Sequence, residues 1–108
     1  MTSANNTTGA LFLRTLAHIG ITHIFANWGN DHPALLEELE RQRVENGGRT
    51  QIEICTSPNE MVALSAAQGY AQVTGKPAAV IVHVDVGTQV IFRSSRLIVN
   101  RLMSCRRP

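Results

Sequence analysis

The chain has 108 residues, 44% hydrophobic and 17% charged, with a mean hydropathy near zero. That suits one modest globular domain and excludes collagen, a disulfide scaffold and a wholly disordered chain. The formal charge of +2 is unevenly placed: residues 1–92 carry five basic and eight acidic groups, whereas 93–108 carry five arginines and no acid. The basic character therefore belongs to the tail, and nucleic acid is not an expected partner.

A short lead, residues 1–8, is expected to be disordered, with Thr7 or Thr8 capping the first helix. Its polar stretch "MTSANNTTGA" has no apolar signal-peptide region, so the expected location is cytoplasmic. "GALFLRTLAHIG" predicts that helix, with Gly20 as its stop. "ITHIFA" is β-prone and "NWGND" reads as a loop. "HPALLEELERQRVE" predicts a second helix with Pro33 in its first turn. Leu35, Leu36 and Leu39 form its expected inner face; Glu37, Glu38, Glu40, Arg41 and Arg43 form the wet one.

"TQIEICT" predicts a second strand, with Ile52 and Ile54 on one face and Cys55 on the other. "SPNEMVALSAAQGYAQVTG" predicts a third helix ending at Gly75. "AAVIVHV" is nearly all apolar, as a strand buried on both faces should be. The predicted fold class is α/β: a partial doubly wound parallel sheet in α-β-α-β-α-β order, incomplete at its C-terminus. After Gln89 the pattern stops, and residues 90–108 form a basic, atypical tail. The expectation is a domain interrupted partway there. No apolar run is long enough to span a membrane, so no membrane partner is expected.

In open α/β sheets, ligands sit beyond the carboxyl ends of the strands. "ANWGND", "CTSPNE" and "DVGTQ" each follow a strand and should meet there. The first offers Trp28, Asn30, Asp31 and His32, with a bland alternative in which Asp31 or His32 caps the next helix. The third offers Asp85, Gly87, Thr88 and Gln89, with a plain strand-to-helix turn as its alternative. The second holds Glu60. Ser57-Pro58-Asn59-Glu60 is S-x-x-E, a capping box, so local pattern alone makes Glu60 part of a helix cap.

Metal spacing is lacking among His18, His23, His32 and His83, and no metal ligand is assigned. Cys55 and Cys105 form no C-x-x-C pair and give little support to a disulfide. Dinucleotide, P-loop and nucleophile-elbow motifs are absent.

The span from Gly9 to Gln89 resembles the N-terminal pyrimidine-binding domain of thiamine-diphosphate-dependent enzymes, nearest their acetolactate synthase-like branch. The residues that carry it are Glu60 and the run Ala66, Ala67, Gly69, Tyr70, Ala71, Thr74, Gly75, Lys76 and Pro77. The resemblance implies that Glu60 is catalytic. It would bond N1′ of the cofactor's aminopyrimidine ring and promote loss of the thiazolium C2 proton, in a dry cleft. Ser57 would then cap the helix by itself.

Gly29 matches the loop that approaches the pyrimidine, Gly87 and Thr88 match the loop after the third strand, and Asn30 falls at a substrate-facing position. The implied substrate is a small 2-oxo acid. The implied partner is a second copy or a full-length homologue, met through helix faces that Ala63, Ala66, Ala67 and Gly69 keep small. Asn59 stands where many relatives carry His, and "DVGTQ" replaces a Gly-Pro-Gly loop. The Gly-Asp-Gly…Asn motif that grips the diphosphate through Mg2+ is absent from the sequence. The expectation is therefore an inactive fragment, with a regulatory module or a non-functional product as alternatives.

Overall fold

The computed structural model describes residues 7–92. Of the expected lead, 1–8, residues 1–6 lie outside the described residues, whereas Thr7 caps α1 and Thr8 begins it. Of the expected tail, 90–108, residues 90–92 are helical and 93–108, with Cys105, lie outside the described residues. The elements are α1 (Thr8–His18), β1 (His23–Ala26), α2 (Pro33–Glu45), β2 (Glu53–Thr56), α3 (Glu60–Thr74) and β3 (Ala79–Ile81). A further helical stretch, α4, occupies residues 86–92. The predicted order and the parallel sheet are both present, and the strands are shorter than their apolar runs suggested.

The ends of α1 follow from its flanking residues. Thr7 is its N-cap, and its hydroxyl accepts from the Ala10 amide at 3.1 Å. Gly20, at φ +93°, turns the chain out of the helix. Its amide bonds to Ala17 O, and the Ile21 amide bonds to Leu16 O. That pair of bonds is a Schellman motif, and it seats Ile21 in the core beside Leu16.

The sheet order is β2-β1-β3, all parallel, with Phe25 opposite both Cys55 and Val80. Side chains alternate across it. Ile24, Ala26, Ile54, Ala79 and Ile81 face Leu13 of α1 and Leu39 of α2. Phe25, Cys55 and Val80 face Ala63 and Ala67 of α3. One face thus carries two helices and the other carries one, which is the arrangement that right-handed crossovers from β1 to β2 and back past β1 to β3 demand. Ala63 and Ala67, expected to keep a partner-facing helix face small, instead pack inside this chain against Phe25, and their small size lets the α3 axis come close to the sheet. Tyr70 anchors the far end: its hydroxyl meets Thr22 Oγ1 at 2.8 Å, and its ring lies 4.5 Å from that of His23.

The face assigned to α2 needs correction. Leu36 is exposed, because β2 is a four-residue edge strand and the sheet does not extend beneath that leucine. Glu38, placed on the wet face, is only 4% exposed. Helix α1 approaches α2 closely at Gly9, where a Cβ would lie 3.2 Å from Ala34 O and 3.4 Å from Glu38 Cβ. The charge buried there is fully partnered. Arg41 grips Glu38 with Nε at 2.9 Å and Nη2 at 2.6 Å, and Gln42 adds a bond at 3.2 Å. Hydrogen bonds from Arg41 hold the Glu38 carboxyl below the usual carboxylate range, against the opposing effect of burial.

Candidate functional site

The rim beyond the carboxyl ends of the strands is stitched by backbone and amide groups. The Ser57 amide donates to Ala26 O at 2.7 Å, and the Asn27 amide donates to Ile81 O at 3.0 Å. The Asn27 side chain donates to Ser57 O at 3.0 Å. One asparagine thereby ties together the segments that follow all three strands. Sequence reading passed over it, because an Asn at the end of a strand looks like ordinary turn chemistry. The predicted meeting of the three segments is present, beyond the ends of β1 and its neighbours, where the chain leaves β1 toward β2 on one face and returns past β1 to β3 on the other.

Glu60 opens α3, but not through a capping box. The N-cap is Asn59, whose Oδ1 accepts from the Val62 amide at 3.0 Å. Ser57 lies upstream of the helix, with its amide and carbonyl used in the rim stitch and its residue buried. Neither the S-x-x-E box nor Ser57 acting by itself therefore caps α3. Asn at the cap position competes successfully with Ser because its amide oxygen reaches two or three residues ahead. Glu60 becomes the first residue of α3, where the helix dipole favours a negative charge.

The Glu60 carboxylate is half-buried and has no hydrogen-bond or ion-pair partner among the described residues. It rests against Gly87, where a Cβ would stand 2.6 Å from Glu60 Oε1 and 3.0 Å from Cδ. A side chain at 87 would push the carboxylate away. Gly87 and Thr88 do not lie in an extended loop: the segment after β3 turns at residues 84–85 and enters α4 at once. Asp85 takes φ +58°, a left-handed value that Asp tolerates better than most residues. Gly87 is buried and Thr88 is exposed, with Thr88 Oγ1 3.4 Å from His83 O.

Gly29 has a different neighbour. A Cβ there would overlap the His83 ring, with Cγ at 2.5 Å and Cε1 at 2.7 Å. His83 Nδ1 stands 2.5 Å from Asp31 Oδ1, so it carries the proton and donates to the carboxylate. Desolvation would raise the Asp31 pKa, but the His83 hydrogen bond and neighbouring groups outweigh it and hold the carboxyl below its usual range. His32 Nδ1 accepts from the Gly29 amide at 3.0 Å. That nitrogen cannot also donate to Asp31, so its 3.3 Å approach to Asp31 Oδ1 is not an ion pair. His32 occupies the N-cap position of α2 without a side-chain capping bond, and Asp31 does not cap it either.

Trp28 Nε1 reaches Thr56 Oγ1 at 3.3 Å, and the His32 ring lies edge-on between those of Trp28 and His83. Asn30 is exposed on this loop. Glu60 is thus paired with Gly87, and Gly29 with His83, a residue that sequence reading considered only for metal spacing. The available signal was its place at the end of the third apolar run. Among the described residues, no three of His, Cys, Asp and Glu are placed to hold a metal ion. Cys55 is unbridged among them, and burial, with Glu53 nearby, pushes its thiol pKa up.

A family model for the N-terminal TPP-binding domain of thiamine pyrophosphate enzymes matches residues 6–92. The chain belongs to that family. No curated protein and no solved structure matches it. The family match covers all three strands and the whole rim, so membership links this geometry to thiamine diphosphate. At that rim Glu60 is a half-buried carboxylate without a partner among the described residues, lying against Gly87, a group suited to bonding a polar part of the cofactor. No helix among the described residues is long and apolar enough to cross a membrane.

Proposed function

We propose that this chain supplies the pyrimidine-recognising half of a thiamine-diphosphate site in an acetolactate synthase-like lyase or transferase acting on 2-oxo acids. The observation that carries the reading is the Glu60 carboxylate, unpartnered among the described residues at the carboxyl rim of a family sheet. Glu60 shares a proton with the ring nitrogen, a bond that the half-buried setting strengthens. Gly87 leaves the carboxylate room that a side chain would take, Thr88 follows it on α4, Gly29 lies under His83, and the exposed Asn30 is the candidate substrate contact. The cofactor, when bound, supplies the carbanion-stabilising chemistry.

The diphosphate and its Mg2+ are held by a second domain, within a longer polypeptide or on a partner. That partner is a second copy or a full-length homologue, docked through helix faces, of which α3 keeps Ala66 and Gly69 only partly buried. By itself the chain is inactive, and its setting is the cytoplasm.

Titrating thiamine diphosphate with Mg2+ into the chain, followed by amide NMR, tests this reading. Shifts at Glu60 and Gly87 are expected with a Kd of about 1 mM, an affinity near −4 kcal/mol, and Glu60→Gln should remove them. Micromolar binding would show that an anchor for the diphosphate is already present. Shifts confined to other regions would overturn the site.

A further inference from the structure

The space above Gly29 is filled by this chain itself. The three atoms nearest to a Cβ at 29 all belong to the His83 imidazole. The ring is fixed from two sides: Asp31 accepts the hydrogen bond from its Nδ1–H, and the peptide beneath it is pinned by the bond from Gly29 N to His32 Nδ1. The residues come from the segments after β1 and β3, which the sheet order places side by side. Nε2 of His83 has no partner among the described residues, and the side chain is 37% exposed.

We infer that Gly29, Asp31 and His83 form one unit, in which Gly29 is the seat of the imidazole and Asp31 the positioning residue that fixes its tautomer. A carboxylate at Nδ1 requires the proton there. That leaves Nε2 as the single nitrogen available to exchange a proton with a bound ligand. Glycine at 29 is then needed for the histidine and not for the cofactor. The unit stands on its own geometry; only the use of Nε2 toward a 2-oxo acid rests on the function proposed above.

Nitrogen-15 NMR of the histidine rings in the full chain, at about pH 8.5 and so above the ordinary imidazole range, reads the tautomer directly. The expected wild-type result is His83 protonated on Nδ1, with or without thiamine diphosphate. Asp31→Ala should lose that preference, and Gly29→Ala should shift the ring and lose it too, with helical circular dichroism unchanged in Asp31→Ala. Asp31→Asn keeps an acceptor oxygen at the same reach and should retain the Nδ1–H form. A His83 spectrum unchanged in both alanine variants, or an Asn variant that loses the tautomer completely, would overturn the inference. A chain that binds no thiamine diphosphate yet shows the expected tautomer pattern would sink the proposed function and leave this unit standing.

Discussion

Two glutamates sit in two regions of this molecule, and their surroundings are opposite. Glu38, between α1 and α2, is 4% exposed and has both oxygens bonded by Arg41 and Gln42. Glu60, at the rim, is half-buried with no partner among the described residues and has a glycine pressed against it. A buried carboxylate whose partners are all internal is committed to the fold, because removing one partner leaves an uncompensated charge. A half-buried carboxylate left without one is poised for something from outside. The α1–α2 face therefore holds the domain together, and the rim is free to do chemistry.

Substitutions on the two sides should sort accordingly. The largest effect belongs to the packed face. Leu13, fully buried among Ile24, Leu39 and Ile52, should lose about 3 kcal/mol on Leu13→Ala in urea unfolding. A loss under about 1 kcal/mol would mean that this cluster is not the core.

The acid limb of stability comes next. Glu38 has its folded pKa depressed below its unfolded value. Its contribution is therefore complete above the ordinary glutamate value of about 4.3 and is lost as pH falls through the lower, folded value. Glu38→Gln should lower stability at neutral pH and flatten the acid limb of a melting-temperature profile. An unchanged limb would make this cluster a surface decoration.

A smaller effect separates the two readings of the α3 start. Asn59→Ala should cost about 1 kcal/mol, while Ser57→Ala should stay within about 0.5 kcal/mol. The reverse order would restore the capping box. Glu60→Gln should change stability least, within about 0.5 kcal/mol, because no bond to another described residue is lost.

Much of the fold was legible before the coordinates. Helix limits at Thr7, Gly20 and Gly75 are local backbone chemistry, and strand faces follow from alternation at Ile52, Ile54 and Cys55. What failed was non-local. Glu38 looks wet on a helical wheel, and only the approach of α1 at Gly9 buries it. Leu36 looks buried, and only the shortness of β2 exposes it. At the site, Glu60 and Gly87 were named, and the sheet brings them together. The pairing of His83 with Asp31 spans 52 positions, and no spacing rule reaches that far.

The central claim is that this rim recognises the cofactor's ring through Glu60 and not its diphosphate. The most direct measurement compares thiamine with thiamine diphosphate, each titrated into the wild-type chain and into Glu60→Gln with amide NMR as the readout. The account predicts that the two ligands bind the wild type with affinities within about twofold, a difference under about 0.5 kcal/mol, shift Glu60 and Gly87 alike, and lose both effects in Glu60→Gln. Thiamine diphosphate binding more than about tenfold tighter than thiamine, or binding indifferent to Glu60, would contradict it.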